Sequence, residues 1–170
     1  MSEIHVSGLA DLNKLLQELP VKIEKNILRG ALRAGARVIE AEAKSNVPVK
    51  NGILRESIRV TGRIRGRTVT ASIKAGGKTK SGDAWYARFV EFGTAAHFIQ
   101  GKNGGWLSFG GLFIKSVQHP GAKPSPFMRP ALDAKSQEAV LTVGNYIKKR
   151  LMTKEGLNTE HIEITGENQP

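Results

Sequence analysis

The side chains best suited to move a proton or hold a metal ion are four histidines, His5, His97, His119 and His161. They are dispersed, and no two stand at i and i+4, the helical spacing that aims two imidazoles at one ion. Only His97 and His119 can converge, if a hairpin closes between them. With Glu91 or Asp83 they would make an acid–base couple or a zinc set one ligand short, so a small hydrolase built on His97, His119 and Glu91 is the weakest functional reading. The chain has no cysteine, which removes thiolate zinc sites, cysteine nucleophiles and disulfide scaffolds. No Gly-x-Ser-x-Gly run offers a nucleophile elbow, and Gly76-Gly77-Lys78-Thr79 lacks the upstream glycine of a Walker phosphate loop. No catalytic residue, cofactor or metal is assigned.

Charge is the second chemical resource. Twenty-six Lys plus Arg stand against 15 Asp plus Glu, a net charge of +11 over 170 residues. Ten bases between residues 44 and 80 face Glu56 alone, whereas 151–170 carries Lys154 against four glutamates. An internal segment is therefore strongly basic and the C-terminal end acidic, an asymmetry that suits head-to-tail docking. A basic segment also suits nucleic acid, and DNA binding through 44–80 is the alternative reading. No aromatic residues are interleaved with it to stack single-stranded bases. The candidate contact residues are Arg29, Arg33 and Arg37, at four-residue intervals, and Arg59, Arg63 and Arg65, at alternating positions of a strand.

These residues need elements to position them. Leu9, Leu12, Leu15, Leu16 and Leu19 paint one helical face behind Ser7, and Pro20 interrupts it. Ile23, Ile27, Ala31, Ala34, Val38 and Ala41 continue as a long amphipathic helix whose other side carries the arginine stripe. Val47-Pro48 ends it and Asn51-Gly52 turns the chain. Alternation from Ile58 to Lys74, with a turn at Arg65-Gly66-Arg67, predicts a hairpin with one apolar and one arginine-bearing face. Residues 76–83 contain no apolar anchor and are expected to be mobile, as is the stretch 99–105. Trp106 to Phe109 and Leu112 to Val117, around Gly110-Gly111, predict a second hairpin. Its Trp106, Phe109 and Phe113 must bury against something, another subunit included. Four prolines from 120 to 130 hold an extended segment before a last helix that begins near Ala131. After Met152 the periodicity dissolves, so the expected organisation is one α+β domain over 1–151 and a weakly ordered acidic tail over 152–170. No apolar run approaches the roughly 20 residues that cross a bilayer, and Met1-Ser2-Glu3 opens no signal peptide; the expectation is an intracellular protein without a membrane partner.

The order of short motifs is similar to that of a known family. Pro48 with Gly52-Ile53-Leu54-Arg55-Glu56-Ser57-Ile58, then Tyr86 to Thr94 with Glu91 and Gly93, then Pro126-Phe127-Met128-Arg129-Pro130-Ala131-Leu132 resemble the tail-component family of tailed bacteriophages and prophages. The resemblance runs from residue 8 to about 150. It implies an α+β subunit that forms a homo-oligomeric ring, with a hexamer as one candidate size, as a head–tail joining or tail-completion protein. It implies connector or neck proteins and the tail terminator or tail tube as partners, transient contact with genome DNA, and a place in the virion after assembly in the host cytoplasm. The physical reading agrees on the fold: a long N-terminal helix and a C-terminal helix packed on one face of a twisted antiparallel sheet, with flexible loops and a projecting hairpin. In this reading Gly52 allows the turn, Leu54 and Ile58 seat the strand, and Glu91, placed in a strand, pairs with Arg55 or Arg88. Residues 76–83 and 99–117 order on assembly.

Overall fold

The computed structural model describes residues 5–167. Its helices are α1 (Leu9–Gln17), α2 (Val21–Asn46), α3 (Ile53–Ser57), α4 (Ala87–Phe92) and α5 (Met128–Glu155). Its strands are β1 (His5–Val6), β2 (Arg59–Arg65), β3 (Thr68–Lys74), β4 (His97–Gln100), β5 (Leu107–Phe109), β6 (Leu112–Ile114), β7 (Ser116–His119) and β8 (Gly166–Glu167). The α+β class is the expected one. The strands pair two by two, β1 with β8, β2 with β3, β4 with β7 and β5 with β6, all antiparallel, which leaves the sheet small and open.

Helix α2 is the spine. Its buried positions, Ile27, Ala31, Gly35, Ala36 and Ala43, follow helical spacing, and α5 packs along them. The two helices run antiparallel, since Ala43 clusters with Ala131 and Ile27 with Ile147. Small residues let the backbones approach: a Cβ on Gly35 would sit 2.6 Å from Val143 Cγ2 and 2.7 Å from the Ala139 carbonyl oxygen. The β2–β3 hairpin covers a different side of α2 and lays Gly62 over the stem of Arg33. The core is divided between the ends of this helix pair. At one end Leu54, Ile58, Ala84, Ala87 and Phe127 surround Ala43 and Ala131; at the other, Leu12, Leu16, Leu151 and Ile162 surround Ile27 and Ile147.

Several local expectations are corrected. Helix α2 does end at Val47, held extended ahead of Pro48, and Gly52 turns the chain with φ 78°. Beyond Gly52 the chain forms the helical turn α3 and not a strand, so Leu54 and Ile58 enter the core as an i, i+4 pair. Residues 76–83 are tied down by polar contacts in place of apolar ones. Ser57 Oγ accepts from the Gly76 N–H at 2.9 Å, Arg59 donates to the Gly76 carbonyl at 2.7 Å, and the Lys80 N–H donates to Glu56 at 3.2 Å. The Ser81 hydroxyl, acting against slight desolvation and joined by the Lys80 and Ser81 amides and Thr79, holds the Glu56 carboxyl below its ordinary pKa.

The end of the chain also differs from expectation. Helix α5 continues to Glu155, where Gly156 takes φ 66°, and Leu157, Ile162 and Ile164 fold back onto α1 and α5. Thr159 and Ile162 are buried, and β8 pairs with β1. Three apolar residues too irregularly spaced to read as an element are enough to anchor the segment, because the surface they cover was already apolar. Side chains of residues 168–170 and of Glu167 and Lys154 lie outside the described residues. Among the described residues, no helix is long and apolar enough to cross a membrane.

Candidate functional site

Glu91 lies on α4, not on a strand, and it meets neither Arg55 nor Arg88 in an ion pair. Its carboxylate reaches the start of α5, where Oε2 accepts from the Phe127 N–H at 2.8 Å and the Met128 N–H at 3.0 Å. Oε1 accepts from the Arg129 N–H at 3.1 Å. The next residue, Pro130, has no N–H to satisfy. The amides that a helix normally leaves unpaired at its start are thus all accounted for by one distant carboxylate and one proline. This is why α5 begins at Met128, three residues before the sequence-based start at Ala131. Burial raises the pKa of Glu91, but the Met128, Phe127 and Arg129 amides, with the Arg129 charge, outweigh it and hold the carboxyl below its ordinary value.

The same clamp closes the base of a long arm. The Thr94 N–H donates to the Ala122 carbonyl at 2.9 Å, the Ala122 N–H returns to Thr94 at 3.1 Å, and the Ser125 N–H donates to Val90 at 2.8 Å. Gly93, with φ 70°, permits the closure, since a Cβ there would sit 2.6 Å from the Ala122 carbonyl oxygen. From this base β4 and β7 lead out, and β5 and β6 form the tip with Leu107 opposite Ile114 and Ser108 opposite Phe113. The stretch expected to be loose from residue 99 therefore begins inside a ladder.

Among the described residues, several large apolar side chains of the arm are left open. Trp106, Leu112 and Phe113 are 62%, 71% and 67% exposed, and Phe98 nearer the base is similarly open. Lys115 places its ammonium 5.5 Å from the Trp106 ring centre, a cation–π contact on one face of the tip. Phe109 pairs with Leu112 in the ladder, and its side chain lies outside the described residues.

His97 and His119 do converge. They are directly opposed in the β4–β7 ladder with ring centres 5.1 Å apart. The hydrogen bond of His119 does not suit a shared ion. His119 Nδ1 accepts from the Gly121 N–H at 3.0 Å, which leaves the ring proton of the neutral imidazole on Nε2, where a metal would have to bind. His97 Nδ1 meets the Ala95 carbonyl at 2.9 Å. Both rings are exposed, and among the described residues no group of three His, Cys, Asp or Glu could hold a metal ion. Glu91, the third member of the hydrolase reading, is occupied with α5.

Beside the arm's base lies a mostly apolar groove of about 560 Å³, lined by Ile73, Ala87, Phe92, Phe127, Met128 and Leu132, with Arg88, Glu91 and Arg129 also in its wall. A second hollow, of about 640 Å³, shares Arg88 and Phe92 with it and extends along Phe89 and Thr94 to His97. Helix α4 and the residues before it present Trp85, Phe89 and Phe92 to solvent, with Trp85 stacked edge-on against Phe89 at 5.8 Å and against Tyr86 at 6.0 Å. The sequence reading missed this surface. The signal was available, because Trp85, Phe89 and Phe92 stand at i, i+4 and i+7, the spacing of one helical face.

The basic candidates are exposed and spread over two elements. Arg29, Arg33 and Arg37 lie on the outer side of α2, with the stem of Arg33 against Gly62. Arg59 is spent on the fold, donating to the Ser57 and Gly76 carbonyls. Arg63 and Arg65, opposite Thr70 and Thr68, project from the face of β2 turned away from α2. Of the motif residues, Leu54 and Phe127 are buried, Tyr86 packs partly against them, and Pro48, Arg55, Pro126 and Pro130 are exposed.

Residues 10–93, just under half of the chain, match the family model described as "Bacteriophage HK97-gp10, putative tail-component". The match runs from α1 through the β2–β3 hairpin and α4 and stops at Gly93, where the arm begins. At the level of that family the role is a structural one in phage morphogenesis. No curated protein and no solved structure matches the chain.

Proposed function

We propose that this chain is a ring-forming head–tail joining or tail-completion subunit of a tailed phage or prophage, acting through protein–protein assembly. The observation that carries the reading is the arm: a ladder fixed at its base by the Thr94–Ala122 hydrogen bonds, presenting Trp106, Leu112 and Phe113 to solvent. A two-stranded ribbon is marginal by itself in water, and exposed aromatics on a fixed support mark a surface made to be covered. The family-level match over residues 10–93 supports a tail-related setting. The partners in this reading are copies of the chain, the connector or neck proteins and the tail terminator or tube. Purified virions should contain the protein by mass spectrometry, and gold-labelled antibody should mark the neck or the head-proximal tail. Particles lacking the gene product that still join heads to tails would refute the role.

Transient contact with genome DNA is favoured by one observation: Arg63 and Arg65 share the outward face of the β2–β3 ribbon with the threonines at 61, 68 and 70, and no acidic residue lies in either strand. Duplex binding through these groups should weaken with salt by a log–log slope near −0.9 for each phosphate neutralised. A flat titration at low salt would remove it.

A further inference from the structure

We infer that the arm tip of one copy docks in the apolar groove of the next, so that each chain is both donor and acceptor. This rests on the assembly reading above and adds the two surfaces that meet. The donor is Trp106, Leu112 and Phe113 at the tip, and the acceptor is the groove lined by Phe92, Met128 and Leu132. Both surfaces are open in the same chain, so a chain's own arm does not fill its own groove. Phe92 and Leu132 are 64% and 50% exposed although they border the core around Phe127.

The areas suit such an interface. The four open apolar side chains of the arm, Phe98 included, offer roughly 500 Å², and the groove edge at Phe92 and Leu132 together with Trp85 and Phe89 on the adjoining α4 surface offers about as much. Together this is about 1,000 Å², where specific interfaces begin, before the free backbone edges of β5 and β6 are counted. The occupant is a second copy because donor and acceptor occur once each per chain on different surfaces. That arrangement is heterologous, the kind of contact that builds a ring when the rotation between copies closes and a filament when it does not. A symmetric pairing of arm on arm would leave the groove empty.

The absence of native cysteine allows a direct test. Leu112→Cys on the arm and Leu132→Cys beside the groove are made as separate proteins, mixed, and oxidised gently at assembly concentration. Disulfide-linked dimers should form in the mixture and stay near background in either protein alone, and the double variant should give a ladder of linked species. A second variant replaces residues 102–113 with a two-residue turn. It should keep its helical circular dichroism and lose self-association by native mass spectrometry. Cross-links in the Leu112→Cys protein alone, or oligomers from the shortened variant, overturn the inference. So do oligomers without mixed cross-links, a persistently monomeric full chain, or an arm that cross-links only to a different tail protein. None of these outcomes alters whether the protein is present in virions, so the assembly role is judged separately.

Discussion

Glu91 shows how one side chain can hold two segments of chain in register. Its carboxylate accepts three amides at the start of α5 from a helix 36 residues earlier, and the turn that bears it also carries the arm's base. Glu91→Ala should lower the unfolding free energy by about 2 kcal/mol in urea titrations, the upper range for a lost helix cap. Glu91→Gln should recover part of that loss, since its amide oxygen still accepts. The pH dependence has a definite sign. A carboxyl whose pKa is depressed by folding contributes its full stabilisation above its unfolded value of about 4.3 and loses it as pH falls through the lower folded value. The stability gap between the native protein and Glu91→Gln should therefore be constant above about pH 6 and close progressively below about pH 4. A gap that ignores pH would show that the charge is not what caps α5. The expected Arg55 partner was reasonable from sequence. Opposite charges attract at any separation in the chain, and nothing local reveals that backbone amides will arrive first.

Among the elements, α2 and α5 fix the molecule's geometry by close approach. Gly35→Ala raises helix propensity by about 1 kcal/mol, yet its methyl would press on the Ala139 carbonyl at 2.7 Å. Backbone yields less readily than a side chain, so the variant should be net destabilised by about 1–2 kcal/mol, read as a lower thermal midpoint. The segment after Glu155 offers a complementary test. Ile162→Ala removes a buried side chain from between α1 and α5 and should cost about 2–4 kcal/mol. A negligible change would mean that the segment does not hold the helix pair together. Long amphipathic helices are legible because their period repeats over many turns. Residues 53–57 are not, since a single turn of helix and a short strand bury similar residues.

At the scale of the whole molecule, two driving forces for assembly make opposite predictions. An interface based on Trp106, Leu112 and Phe113 should persist, or strengthen slightly, as sodium chloride rises from about 0.05 to 0.5 M, because screening does not weaken apolar burial. One based on the basic 44–80 segment and the acidic end should dissociate over the same range. The expected result is concentration-dependent association that is nearly independent of salt, measured by light scattering. Loss of oligomer at about 0.5 M salt would transfer the assembly role from the arm to the charged faces.

The sequence alone determined the α+β class, the two long helices, both hairpins, the lack of a cysteine- or motif-based catalytic centre and the family resemblance. Each of these depends on local period, turn chemistry or the presence of a residue type. Tertiary structure alone decided that Glu91 caps α5, that Arg59 serves its own backbone, that Leu157, Ile162 and Ile164 pack onto the core, and that an apolar groove stands beside the arm. The reason is the same in each case: these arrangements join residues far apart in the chain, so they exist only once the elements have packed and brought those residues together.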